Sequence, residues 1–191
     1  MSLVYTNRKG KIFYLHRGTT KTGKPKYFFS MIREGTLVDF VPDGYEIYEN
    51  PNAQVFLRRI QPKIITDEEF AVVENGMKEF SPVPYYKIDV KKNVIIVYTA
   101  DQDVDSLSEL LKFAPTEKSI RTEELLAHSI TYSPILQFML IDETKRFFIT
   151  RRYCFLGSID DWIEIGNPDT LEKLVKKYVK HLGQDSYYEL I

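Results

Sequence analysis

The sequence predicts an α+β fold, with a small N-terminal antiparallel β-module followed by an antiparallel sheet covered by helices. The first sixty residues carry strand and turn signals without a helical period. Beyond them, helix signals and adjacent hairpins are mixed, without the regular strand–helix alternation of a parallel sheet. The composition, 43% hydrophobic and 28% charged, is typical of a globular protein.

The N-terminal module is predicted from short segments of strand composition, which are residues 11–17, 26–32, 36–41 and 54–60. Between them lie a long turn at residues 18–25 and Pro, Gly and Asn turn signals at residues 42–44 and 50–52. The pattern changes after Gln61. We therefore expect two domains, residues 1–61 as a basic aromatic β-module and residues 62–191 as an α+β domain.

Helices are predicted in the second domain from capping signals and apolar spacing. Thr66 and Glu69 form a capping box, and Ser106 and Glu109 form another. Asn167-Pro168 is expected to cap the last helix, and Gly183 is expected to close it. The predicted helices are residues 67–80, 107–114, 117–128 and 168–182, with Pro168 at the first position of the last helix.

Two hairpins and one further strand complete the predicted second sheet. Apolar faces flank the turn at residues 91–93, and a second pair of strands, residues 135–141 and 146–153, flanks residues 142–145. Residues 94–98 are apolar on both faces, which predicts an interior strand. Residues 155–165 are expected to add one more strand.

Charge is distributed unevenly along the chain, although the net charge is only −1. Residues 1–33 contain eight cations and no Asp or Glu, so their net charge is +8 and that of the remainder is −9. Such asymmetry indicates a surface that faces a polyanion, or a basic module docked on an acidic one.

The candidate binding site is the basic, aromatic hairpin of the first module. Cations neutralise phosphates and release counterions, whereas exposed aromatic rings stack on bases. Five aromatic residues, at positions 13, 14, 27, 28 and 29, alternate with the lysines and arginines of this hairpin. The alternative is that the aromatics form the sheet core and the cations only solvate its surface. The candidate binding residues are Lys11, Arg17, Lys21, Lys24, Lys26, Tyr27 and Arg33.

A partial match to a nucleotide-binding P-loop lies within this hairpin. Residues 18–24, GTTKTGK, fit its first seven positions, but the eighth must be Ser or Thr and is Pro25. A P-loop also opens a helix, whereas residues 26–29 have strand composition. We interpret the segment as a hairpin loop whose Gly, Thr and Lys residues suit simple anion binding.

No catalytic or metal constellation is predicted. Asp101, Asp103 and Asp105 mimic half of an EF-hand loop, but Ser106 and Lys112 replace its required Gly and Glu. The histidines and the single cysteine lack metal-ligand spacing: His16, His128, His181 and Cys154. Acid-x-Lys triplets at residues 89–91 and 143–145 resemble those of metal-dependent nucleases but lie at predicted turns. We expect no catalytic residue, no metal and no cofactor.

The single Cys154 cannot form an intrachain disulfide, which indicates a reducing, cytoplasmic compartment. Residues 1–15 carry no apolar run of signal-peptide length, and the longest apolar runs are strand-sized. We expect no membrane partner.

Several blocks of the first module carry a resemblance to other proteins: YTNRKG at residues 5–10, YLH at 14–16, KTGKP at 21–25, YFFS at 27–30, GYEIYENP at 44–51 and VFLRR at 55–59. Together they resemble a segment of uncharacterised bacterial proteins. That family has no established activity, so the resemblance implies only that the segment is a recurring module.

These observations give a leading functional hypothesis and two alternatives. The leading hypothesis is a non-enzymatic binding or interaction protein whose basic N-terminal module contacts an unknown protein partner. The first alternative makes the partner nucleic acid, and the second is an enzyme whose site is assembled only in three dimensions, such as a metal-dependent nuclease. The sequence leaves open whether the protein forms a homo-oligomer.

Overall fold

The computed structural model describes residues 2–104, 106, 129–156 and 159–190. Contacts between residues divide these into two compact units, one containing residues 2–61 and the other residues 62–104 and 130–190. The expectation that each unit is a separate domain stays a prediction. The α+β fold class is confirmed, with small antiparallel sheets first and a larger sheet packed with helices after them.

The N-terminal unit contains a three-stranded sheet in the order β1-β2-β3 and a separate hairpin, β4-β5. The strands are β1 (Val4–Thr6), β2 (Ile12–Thr19), β3 (Pro25–Ser30), β4 (Tyr45–Glu49) and β5 (Val55–Arg59). All pairings are antiparallel. The predicted strand at residues 36–41 is wrong, because Leu37 forms only an isolated bridge with His16.

The second unit is a five-stranded antiparallel sheet in the order β10-β9-β8-β7-β6. Its strands are β6 (Tyr86–Lys91), β7 (Val94–Ala100), β8 (Tyr132–Asp142), β9 (Phe147–Leu156) and β10 (Ile159–Thr170). Both predicted hairpins are confirmed, as β6–β7 and β8–β9. The interior position of residues 94–98 is also confirmed, since β7 lies between β6 and β8.

Two described α-helices, α1 (Asp67–Phe80) and α2 (Leu171–Tyr178), pack against each other and contribute to one apolar core with the sheet. The capping box of α1 is confirmed, because Thr66 Oγ1 accepts from the Glu69 N–H and Glu69 Oε2 accepts from the Thr66 N–H. Arg146 also binds Glu69, with Nη2 to Oε2 at 2.5 Å, which links the helix start to the β8–β9 turn.

The predicted cap of the last helix is wrong. Asn167 and Pro168 lie within β10, and Thr170 is the N-cap. A β-bulge between Ile165 and Asp169 takes up the intervening residues, so β10 pairs again at Asp169 before the helix begins. Gly183 follows the final helical turns with φ +71°, as expected for a closing glycine.

The second predicted capping box and the helices at residues 107–114 and 117–128 lie outside the described residues. Ser106 itself is described, and both its N–H and its hydroxyl donate to the Asp103 carboxylate, at 3.2 and 2.7 Å.

The close approach of α1 and α2 depends on Gly76. A Cβ at this buried position would overlap Val175 Cγ1 on the facing helix. Gly76→Ala should therefore lower the free energy of unfolding by about 1–3 kcal/mol, even though alanine is the better helix former. Urea unfolding measures this loss.

Val175→Ala provides the matched test of that contact, since it removes the overlapping methyl groups. In the double variant, the cost of Gly76→Ala should fall by roughly 1 kcal/mol or more. Equal costs of Gly76→Ala in both backgrounds would contradict the proposed overlap.

Candidate functional site

The inner face of the β2–β3 hairpin packs on the β4–β5 hairpin. Leu15 lies opposite Phe29 and Arg17 lies opposite Tyr27, so these four side chains share one face. Leu15 is fully buried. The Tyr27 ring is half-buried and lies 6.2 Å from the Tyr45 ring, centroid to centroid. The predicted binding residue Tyr27 therefore points into the unit.

The outer face of the same hairpin carries an exposed aromatic ring beside a lysine. His16 pairs with Phe28 and Gly18 pairs with Lys26. The Phe28 ring stacks on His16 at 5.3 Å and an interplanar angle of 12°, yet the residue is 41% exposed. It also passes over Gly18, where an added Cβ would lie 3.5 Å from Phe28 Cε1. The pair Lys26 and Phe28 is called the hairpin platform below.

His16 anchors this platform from beneath. It is buried, and its Nε2 lies 2.9 Å from the Ile32 carbonyl oxygen. A carbonyl only accepts hydrogen bonds, so Nε2 carries the proton. The imidazole thus contacts both the Phe28 ring and the segment that follows β3. Its hydrogen bond to the Ile32 carbonyl holds the ring in place beneath Phe28.

The turn that connects β2 to β3 is closed by its own hydrogen bonds. The Thr20 N–H donates to the Lys24 carbonyl at 2.8 Å, and the Lys24 N–H donates to Thr20 Oγ1 at 3.1 Å. Gly23 has φ +78°, a conformation that suits glycine. Lys21 and Lys24 are exposed in this turn. β3 follows it directly, in agreement with the interpretation as a hairpin loop.

The cations at this end of the hairpin form no ion pair with any carboxylate in the part of the chain that the structure describes. They are Arg17, Lys21, Lys24 and Lys26. Elsewhere in the N-terminal unit, two arginines are paired, Arg8 with Glu49 at 2.7 Å and Arg58 with Glu46 at 2.8 Å. Four cations without a described ion pair are therefore gathered at one end of the unit, called the basic hairpin end below.

Two predicted binding residues lie away from the basic hairpin end. Lys11 precedes the eight residues of β2, which separate it from the turn by roughly 25 Å. Arg33 lies beyond β3 and lines a shallow depression with Val38 and Asp39. The seven predicted residues are thus divided among one cation cluster, two separate cations and one inward-facing tyrosine.

Sequence reasoning did not single out the outer-face residues His16, Gly18 and Phe28. Phe28 was one of five aromatics, and only the strand register distinguishes it from its neighbours Tyr27 and Phe29. The alternating pattern was a usable signal, but it required knowing which face the β4–β5 hairpin covers.

The described residues contain no group of three or more His, Cys, Asp or Glu side chains that could hold a metal ion. The nuclease-like triplet at residues 89–91 lies on β6, where Lys91 Nζ is 3.7 Å from Asp89 Oδ2. Glu143 lies in the β8–β9 turn. Neither triplet is joined by a cluster of further acids within the described part of the chain.

No protein-family model, curated protein or solved structure matches the chain. Among the residues described, no helix is long and apolar enough to cross a membrane.

Proposed function

We propose that this chain is a binding protein whose basic hairpin end contacts an anionic partner. The observation that carries the proposal is the set of four cations without a described ion-pair partner at this end of the hairpin, of which Lys26 shares the outer face with the exposed ring of Phe28. Two of the five carboxylates of the unit, Glu49 and Glu46, are engaged by Arg8 and Arg58 instead. The proposal concerns binding, with no reaction and no cofactor.

Single-stranded nucleic acid is the partner that the hairpin platform favours. A strand with exposed bases needs a stacking surface and a cation within reach of the neighbouring phosphate. Phe28 and Lys26 are two residues apart on the outer face of β3, which places a ring and an ammonium side by side. An acidic protein segment would use the cations but would gain less from the flat ring.

A cytoplasmic location is part of the proposal. It is supported by the single cysteine, Cys154, which is buried as a thiol in β9. Nucleic acid and reduced thiols occur together in that compartment, so location and partner agree.

The first prediction concerns the salt dependence of binding. Fluorescence anisotropy of a labelled single-stranded oligonucleotide should show binding that weakens steeply with salt, because bound cations release counterions. Replacing Lys21, Lys24 and Lys26 by Gln should weaken binding and reduce the slope of log K against log salt by about 2.

A matched variant carries three Gln replacements at exposed lysines of the second unit, Lys63, Lys145 and Lys180. Both triple variants lose three positive charges. A difference between them in affinity or in salt slope therefore depends on where the lysines lie. Equal affinities and slopes for the two variants would contradict the assignment to the basic hairpin end.

The second prediction separates stacking from charge. Phe28→Ala should lower the affinity for the oligonucleotide by about 1–3 kcal/mol and leave the salt slope unchanged, since no charge is removed. Phe40→Ala is the control, because Phe40 is also an exposed aromatic of the N-terminal unit, at 62%. If Phe28→Ala binds like the wild type, the hairpin platform does not stack on bases, and an acidic protein becomes the favoured partner.

A further inference from the structure

A second feature of the N-terminal unit lies at the opposite end of β2. It is a cavity of about 370 Å³, a size near the lower limit for small-molecule sites. It opens between the β1–β2 turn and the β4–β5 turn. The residues that line it and carry the argument are Lys9, Lys11, Phe13, Met31, Ala53 and Phe56.

The walls of this cavity are fixed by a buried asparagine. Asn7 is only 6% exposed, and its Nδ2 donates to the Ala53 carbonyl at 2.7 Å, which joins the two turns. Its Oδ1 accepts from the N–H groups of Lys9 and Lys11, at 3.1 and 2.8 Å. One side chain therefore orders both the cationic wall and its contact with the opposite turn.

The opposite turn is ordered in the same way by Asn50. Its Oδ1 accepts from the N–H groups of Asn52 and Gln54, at 3.0 and 2.9 Å, and Ala53 adopts φ +62°. Such bonds hold the loop in one conformation before any ligand arrives. The cavity is thus preorganised, which reduces the entropy lost on binding.

The chemistry of the cavity is mixed. Phe13, Met31 and Phe56 supply apolar surface, and Phe56 and Met31 are 45% and 59% exposed. Lys9 and Lys11 supply cations, and no carboxylate lines the cavity. The nearby Glu49 instead accepts from Arg8, at 2.7 Å, and from the Tyr5 hydroxyl, at 3.0 Å.

The local electrostatics favour an anion. Partial burial lowers the pKa of Lys9, and the like charges of Lys11 and Arg8 lower it further. The like charges of Arg8, Lys9 and Lys11 therefore make this wall of the cavity electropositive, which favours an anionic group beside it.

We propose that this cavity binds a small organic anion, with its flat apolar body against Phe13, Met31 and Phe56 and its anionic group beside Lys9 and Lys11. The inference does not depend on nucleic-acid binding at the basic hairpin end. A carboxylate and a phosphate present the same charge to these lysines, so the site is defined by the combination of anion and apolar body.

Isothermal titration with 2-naphthoate, which combines both features, tests the proposal. Two probes each lack one feature: 2-naphthylmethanol has the apolar body without the charge, and acetate has the charge without the body. We expect 2-naphthoate to bind at least roughly threefold more tightly than either, because both contacts contribute. Comparable binding of all three probes would overturn the proposal.

Variants locate the site. Replacing Lys9 and Lys11 by Gln should weaken 2-naphthoate binding roughly three- to tenfold, as expected for partly exposed charge contacts. The control replaces two exposed lysines of the second unit, Lys63 and Lys145, by Gln and should leave 2-naphthoate binding unchanged. If the wild-type protein binds 2-naphthoate but no oligonucleotide, only the proposed function of the basic hairpin end is rejected. Unchanged 2-naphthoate affinity in the Lys9 and Lys11 variant would reject only the cavity.

Discussion

The register of β2 against β3 determines which side chains of the N-terminal unit meet solvent. Because His16 pairs with Phe28, the neighbouring pair Leu15 and Phe29 must face the other way. A one-residue shift of β3 alone would turn Phe28 and Lys26 to the inner face, which Leu15 occupies and where it is fully buried, and would turn Tyr27 and Phe29 outward. The pairing of Leu15 with Phe29 on the inner face therefore places the hairpin platform on the outer face.

A second constraint is the distribution of carboxylates in the same unit. Glu46 and Glu49 of β4 pair with Arg58 and Arg8. Asn7 and Asn50, which are neutral, organise the turns at the other end. Ion pairs and hydrogen bonds of asparagine side chains thus stabilise the unit. The lysines of the β2–β3 hairpin take part in no ion pair among the described residues.

Much of the second unit could be predicted from sequence, because its signals are local. The Thr66 capping box and the apolar strands of β7 and β8 require only neighbouring residues to be recognised. The Asn167-Pro168 cap could not be assigned correctly, since the bulge that keeps these residues in β10 depends on pairing with Phe148 in β9.

The candidate site was predicted only in part, for a similar reason. Local composition indicated the cations, and Lys21, Lys24 and Lys26 do lie together at one end of the hairpin. Composition could not distinguish Tyr27 from Phe28, because their opposite faces follow from the strand partners. Nor could it show that Lys11 belongs to a cavity, since the second wall comes from residues more than forty positions away.

The central claim is that the outer face of the β2–β3 hairpin is a binding surface. Its most direct test is the ¹⁵N–¹H correlation spectrum of the labelled protein, titrated with a short oligothymidine. The account predicts shift changes at Gly18, Lys24, Lys26 and Phe28, with the amides of β8 and β9 unchanged. Shift changes confined to the second unit, or none at low salt, would contradict it.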